Sequence, residues 1–302
     1  MKSRKSGFTL VELLTVLVII ALMMGILLPA LNKVRNTAKE AKQEVQFATI
    51  EQAIMAFKGD YGDYPPSNNL YGDYEGAQQL AEALVGWDLM GFDTDSAWRS
   101  NGCLDAAGIN WIYPPQPLDL TDPVVKKNLE DRKGPYLELS KANVFRLGNT
   151  VNGPGLFNNT GALNPDRYVL CDSFGAKNLI LKNGTKTETV IAGTPILYYK
   201  ANTSSKQWGP PGSVNKRIYF DGDNRALVSL GRMTDGKPHP LGGITDPFPS
   251  MGFPANFYYY LIDQKMVPIM GQYGWPVNAD SYVLISAGAD GLYGTADDIT
   301  NF

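Results

Sequence analysis

The sequence predicts an α+β fold: one long N-terminal helix packed on a small antiparallel β-sheet, with loop-rich insertions and an acidic C-terminal loop. Three observations carry this. An apolar run near the front continues without a break into an amphipathic helical pattern. Short runs rich in β-branched and aromatic residues recur further on, separated by Gly, Pro and Asn, which is strand-and-turn composition rather than that of a helical bundle. The final segment sets a strand pattern beside a glycine-rich acidic loop. Of the 302 residues, roughly 270 follow the apolar run, enough for one large domain or a smaller one with insertions. Hydrophobic content of 44% against 19% charged is that of a folded chain.

The helix comes first. Leu13 to Leu31 is nineteen residues without a charge, broken only by Thr15, Gly25 and Pro29. A helix crossing the hydrocarbon core needs about twenty residues. Lys2, Arg4 and Lys5 precede the run, so the positive-inside rule keeps the front end in the cytoplasm and sends the bulk of the chain across. The run is too long for the apolar part of a signal peptide, and no small-x-small cleavage site follows it. The helical pattern then goes on from Asn32 to Phe57. Val34, Ala38, Ala41, Val45, Ala48, Ile50, Ala53, Ile54 and Phe57 form one stripe, charges fill the other face, and Lys58-Gly59 is the expected end. One helix of about fifty residues is about 75 Å long. Near its front sits Glu12. A carboxylate in a membrane segment is costly and marks function, with a partner nearby.

Lys5-Ser6-Gly7-Phe8-Thr9-Leu10-Val11-Glu12 resembles the processing site of type IV pilins and type II secretion pseudopilins. Basic leader, Gly-Phe, Glu and apolar run coincide, and Pro29 stands where many of that family have a helix-distorting proline. The resemblance implies that a prepilin peptidase cuts after Gly7 and methylates the new N-terminal residue, Phe8. It implies that residues 1–7 are a leader, 8–31 the membrane and assembly half of the helix, and 32–302 a periplasmic pilin-like head. It implies that Glu12 pairs with the amino group of Phe8 on a neighbouring subunit and so sets axial register.

Tyr61-Gly62-Asp63-Tyr64-Pro65-Pro66 is a turn-rich stop, and Gln78 to Val85 is expected to be a short amphipathic helix. This stretch is similar to the major pseudopilin, where a tyrosine-proline turn leads into a Leu-Ala-Leu pattern. Residues 87–167 lack a steady period and read as an insertion of loops and short helices. One helix is expected from Val124 toward Leu139, ending at Gly134-Pro135. Strand signals follow at Arg167–Cys171, Asn178–Lys182, Thr187–Ala192 and Pro195–Lys200. Asp172-Ser173-Phe174-Gly175 and Pro195-Ile196-Leu197-Tyr198-Tyr199 resemble the two halves of one family motif, separated here by residues expected to form an added hairpin. Residues 201–275 are a second loop-rich insertion. Ser281 to Ser286 is the last strand.

In the loop after it, Asp290, Asp297 and Asp298 offer hard oxygens among glycines, although the spacing is not that of an EF-hand. The loop resembles the C-terminal calcium loop of the major pseudopilin. By that match Asp290, Asp297 and Asp298 are the side-chain ligands, with backbone carbonyls near Ser286 and Leu292 completing the shell. Leu292 and Tyr293 depart from the family pattern. Asp221-Gly222-Asp223-Asn224 reads as a hairpin turn rather than a second cation site. His239, the single histidine, lies between prolines and is expected at the surface. Cys103 and Cys171 lack CxxC spacing; a disulfide between them and two separate buried thiols both stay open.

No Gly-x-Ser-x-Gly, HExxH or phosphate-loop motif is present, so no enzyme is expected. Losing Lys2, Arg4 and Lys5 with the leader takes the basic count from 27 to 24 against 30 acidic residues, a net charge of −6, which disfavours nucleic acid as a partner. The resemblance covers about residues 3–85, 168–200 and 276–302. It implies a structural subunit of a type II secretion filament in the bacterial inner membrane, partnered by the prepilin peptidase, by copies of itself and minor pseudopilins, and by an inner-membrane assembly platform. The alternatives are a type IV pilus subunit and, from another class, a membrane-tethered binding protein.

Overall fold

A computed structural model of the chain describes residues 9–105, 107–115, 118–183, 186–206, 208, 217–243, 255–266 and 275–302. In chain order the elements are α1 (Leu10–Tyr61), α2 (Gly76–Val85), α3 (Pro123–Asp131), β1 (Val144–Arg146), β2 (Tyr168–Leu170), β3 (Lys177–Asn183), β4 (Lys186–Ala192), β5 (Leu197–Lys200), α4 (Arg225–Ser229), α5 (Ala255–Tyr260), β6 (Tyr282–Ser286) and β7 (Ile299–Thr300). The chain divides into two compact units, Met1–Lys42 and Gln43–Phe302.

The first unit holds the front of α1. Leu10–Leu27 is long and apolar enough to cross a membrane, and none of it is buried against protein. The helix continues through Pro29. Val34, Ala38 and Ala41, placed on the inward stripe by their spacing, are exposed.

In the second unit the rest of α1 buries Phe47, Ile50, Ala53, Ile54 and Phe57 against Leu80 and Leu84 of α2 and Tyr198 and Leu284 of the sheet. The stripe is rotated from its expected line: Val45 is 67% exposed, while Gln43 and Gln46 are buried. The reason is a hydrogen-bonded seam. Gln46 Nε2 donates to the Cys171 carbonyl at 2.8 Å, and Gln43 Oε1 accepts from the Ser173 N–H at 2.7 Å. Helix α1 also runs past Lys58-Gly59 to Tyr61.

The central sheet is antiparallel in the order β5-β6-β7. Tyr198 pairs with Leu284 and Tyr199 with Val283. Alternation sends Tyr198, Tyr282 and Leu284 to the α1–α2 core. It sends Leu197, Tyr199, Val283 and Ile285 to a second core with Leu147, Leu156, Phe257 and Leu261. The insertions therefore cover the sheet's other face, which is why both faces of β6 are buried.

The added hairpin is present as β3–β4. Its base is closed by one carboxylate: Asp172 Oδ1 accepts from the N–H groups of Phe174 and Thr194, each at 3.1 Å, and Oδ2 accepts from Ser286 Oγ at 3.1 Å. Gly193 passes so close that a Cβ there would drive into the Asp172 carbonyl. Two short strands escaped the sequence reading: β1, paired with β2, and β7, paired with β6.

The insertions are anchored by buried polar groups. Glu82 of α2 accepts hydroxyls from Tyr74 at 2.6 Å, Ser96 at 2.5 Å and Tyr113 at 2.9 Å. Helix α3 stops at Asp131, short of Gly134-Pro135, because Arg132 turns inward to a buried pair with Asp88 at 2.7 Å. Asp221–Asp223 is a 3-10 turn leading into α4, not a hairpin turn. His239 is only 5% exposed rather than a surface residue. Its Nδ1 accepts from the Tyr293 N–H at 3.2 Å, and the two rings lie 4.5 Å apart. Cys103 and Cys171 are both free and buried, which decides against the disulfide.

Candidate functional site

Two segments carry the residues singled out in the sequence. At the N-terminus, Gly7 and Phe8 lie outside the described residues. Glu12 lies within them, and it forms a reciprocal cap with Thr9. The Thr9 N–H donates to Glu12 Oε2 at 2.8 Å and its hydroxyl donates to the same oxygen at 2.7 Å. The Glu12 N–H returns a bond to Thr9 Oγ1 at 3.2 Å. This is a capping box, and the Thr-x-x-Glu spacing was its legible signal. It matters because the first N–H groups of a helix have no intrahelical partner and, in hydrocarbon, no water either. A carboxylate there is also favoured by the helix dipole. The cap uses only Oε2, and the described residues leave Oε1 without a partner. Thr15 turns its hydroxyl back to the Glu12 carbonyl at 3.0 Å, hiding a second polar group in the same run.

At the C-terminus, the loop between β6 and β7 winds through three glycines with positive φ, Gly288 (61°), Gly291 (70°) and Gly294 (88°). Asp290 caps the loop locally: its Oδ1 accepts from the Leu292 N–H at 2.7 Å. Its own N–H donates to Asp297 Oδ2 at 2.9 Å. Asp298 Oδ2 accepts from the Gly294 N–H and from the Tyr260 hydroxyl, both at 2.7 Å. Burial, with Asp297 beside it, pushes the Asp298 carboxyl up to about 6.

The Thr295 hydroxyl is the informative atom. It lies 3.1 Å from the Leu292 carbonyl, 2.7 Å from Asp297 Oδ1 and 3.3 Å from Asp298 Oδ1. A hydroxyl has one proton to donate, so three acceptors share it. Two carboxylate oxygens, a carbonyl and a hydroxyl gathered on a glycine-rich turn are the donor chemistry of a hard divalent cation. The contacts of the Thr295 hydroxyl do not include Asp290, whose Oδ1 accepts from the Leu292 N–H. Among the described residues, no three His, Cys, Asp or Glu side chains gather as a metal cluster.

Residues 2–28 match the family model described as the prokaryotic N-terminal methylation motif. That segment is type IV pilin-like, and the motif implies processing by a prepilin peptidase and assembly with other pilin-like subunits. The architecture, an apolar N-terminal helix followed by small antiparallel sheets and loops, is a pilin-like α+β fold. No curated protein and no solved structure matches the chain.

Proposed function

We propose that this chain is a pseudopilin, a structural subunit of a type II secretion filament, most like the major subunit but with an enlarged head. The observation that carries the reading is the methylation motif running into a membrane-length apolar span, Leu10–Leu27, whose one carboxylate, Glu12, caps the helix and keeps an oxygen for a neighbour. Before assembly the subunit sits in the inner membrane with its head in the periplasm. After cleavage behind Gly7 and methylation of Phe8, Glu12 receives the amino group of Phe8 from the adjoining subunit. The same contact repeats from subunit to subunit without closing, so it propagates a filament with copies of itself and minor pseudopilins. The assembly platform and a cytoplasmic ATPase supply the work. The chain catalyses nothing and binds no nucleic acid.

Calcium belongs to the same reading. Asp297, Asp298, the Leu292 carbonyl and Thr295 would hold it, and Asp290 is the third carboxylate that the resemblance supplies. Bound only to the folded head, the ion would tie the C-terminal segment down and stabilise it by mass action. This loop is what favours secretion over a pilus.

Intact mass of the protein from its native membranes tests the pathway. Loss of residues 1–7 plus one methyl group is expected; an uncut chain sinks the filament reading. Deletion of the gene then separates the machines. Exoproteins retained in the periplasm support secretion, whereas loss of surface fibres with normal secretion makes the chain a pilus subunit.

A further inference from the structure

Beside the tyrosine-proline turn, a groove holds a carboxyl group that the fold uses only by half. Asp223 is 7% exposed. Its Oδ2 accepts from Ser67 Oγ at 2.6 Å, and Ser67 Oγ is fixed in turn by the Lys200 N–H at 2.9 Å. Ser67 donates its single proton to Oδ2, and the described residues offer Oδ1 no partner. Asp223 lines a groove of about 640 Å³, so the unused oxygen has its outlet there.

The rest of the groove says what kind of molecule would meet it. Phe220 and Pro66 line it half-buried, with Asn68, Asn202 and Ser204 exposed along the rim. The cations at the mouth are engaged already. Lys200 pairs with Asp63 at 2.5 Å, and Lys58 sits over the Tyr64 ring at 3.8 Å. A groove built for an anion would leave cations uncommitted, yet Arg217, its third cation, is turned to the Tyr258 hydroxyl. Asp63 and Asp280 line the groove with Asp223, so three carboxylates balance three cations and the lining calls for no net charge in its occupant. Burial, with Asp221 and Glu75 nearby, pushes the Asp223 carboxyl well above the usual range. Its outward oxygen therefore serves as a donor when protonated and an acceptor when ionised. A hydroxyl answers both states; an ammonium answers only the second and a carboxylate only the first.

We propose that this groove binds a neutral oligosaccharide, with a sugar hydroxyl on Asp223 Oδ1, a pyranose face against Phe220, and further hydroxyls on Asn68, Asn202 and Ser204. The volume lies in the range of small-molecule sites, about 300–1,000 Å³. Nothing in this depends on the filament reading, since the head carries the site whether or not the chain assembles.

The test uses the full-length chain in a detergent without a sugar headgroup, titrated with cellotriose, chitotriose and maltotriose at millimolar concentrations. Saturation-transfer NMR and calorimetry report binding. At least one trisaccharide is expected to bind. Asp223→Ala, which removes the outward oxygen altogether, is expected to weaken it about tenfold, the worth of one good hydrogen bond. Asn68→Ala, at the exposed rim, is expected to weaken binding severalfold without altering the melting temperature, so the test survives if Asp223→Ala misfolds. Binding of none of the three sugars overturns the proposal. So does sugar binding that both variants leave unchanged, or binding of spermidine in place of sugars, which would make Asp223 a cation site.

Discussion

At the scale of single residues, the assignments divide by how local their causes are. Glu12 was legible because a charge inside an apolar run has few structural explanations, and its partner Thr9 stands three residues away. Its assembly role makes a sharp prediction. Glu12→Gln keeps an acceptor for the Thr9 N–H, so membrane insertion and cleavage are expected to continue. The neutral amide cannot pair with an incoming amino group, and leaving one charge of a buried pair alone costs about 3–5 kcal/mol. Processed Glu12→Gln subunits should therefore accumulate in the membrane and be missing from cross-linked or sheared filaments; normal filament yield would refute the register role. Asp290, Asp297 and Asp298 were legible as an acidic loop, but the sequence could not say which carboxylates converge, because that depends on where Thr295 places its hydroxyl. If calcium sits there, free ion at a hundredfold excess over Kd adds about 2.7 kcal/mol. For a head of this size that is about 5–10 °C in melting temperature. EDTA should remove that increment from the native chain and leave Asp297→Asn unaffected. A melting temperature indifferent to EDTA ends the calcium assignment.

At the scale of elements, long or strongly patterned segments were readable and short ones were not. Helices α1 and α2 and strands β2 to β6 announced themselves by period and by turn residues. Strand β7 has two residues and β1 has three, too few to show alternation. Gln43 and Gln46 defeated the stripe on α1 because their inward placement depends on backbone groups of Cys171 and Ser173, far away in sequence. Helix α4 is the clearest case of distant control. Its first free N–H groups, on Ala226 and Leu227, donate to the Glu75 carboxylate at 2.6 and 2.7 Å. Glu75 stands at the N-cap position of α2, where its own N–H donates to Gln78 Oε1 at 3.1 Å. One residue thus links two helices, by its backbone to α2 and by its carboxyl group to α4, and Asn224 ties them to the sheet by bonding the Ala77 N–H and the Tyr198 carbonyl. Glu75→Ala strands two N–H groups, Leu227 buried and Ala226 half-buried, and each unsatisfied buried group costs about 1–3 kcal/mol. Denaturant unfolding should show a loss of at least about 2 kcal/mol, with hydrogen exchange accelerated first in α4. A loss confined to α2 would mean the cap on α4 is incidental.

At the scale of the whole molecule, the second unit is a sheet sealed on both faces, one by α1 and α2 and the other by the insertions. Burial on both sides places two titrating groups where their pH responses oppose each other. Glu75 is pushed from an ordinary 4.5 up to about 7, chiefly by burial. Its proton is held more tightly in the folded chain, so its contribution is full below pH 4.5 and is lost as pH rises through about 7. His239 is pushed down from 6.5 to about 4, again chiefly by burial. The folded chain keeps it neutral, so its contribution is full above pH 6.5 and is lost as pH falls through about 4. A shift of this size is worth on the order of 3 kcal/mol at about 1.4 kcal/mol per unit. Between pH 4.5 and 6.5 the two slopes run in opposite directions. Removing either group should expose the other. Relative to the native chain, Glu75→Gln should become more stable with rising pH across this window, since the falling slope of Glu75 is gone. His239→Gln should become less stable with rising pH, since the rising slope of His239 is gone. Unfolding free energies of the three chains at half-unit steps of pH give two difference curves. Curves of opposite sign establish that both groups titrate from inside the fold; parallel curves, or flat ones, would show that at least one of them reaches solvent before the head unfolds.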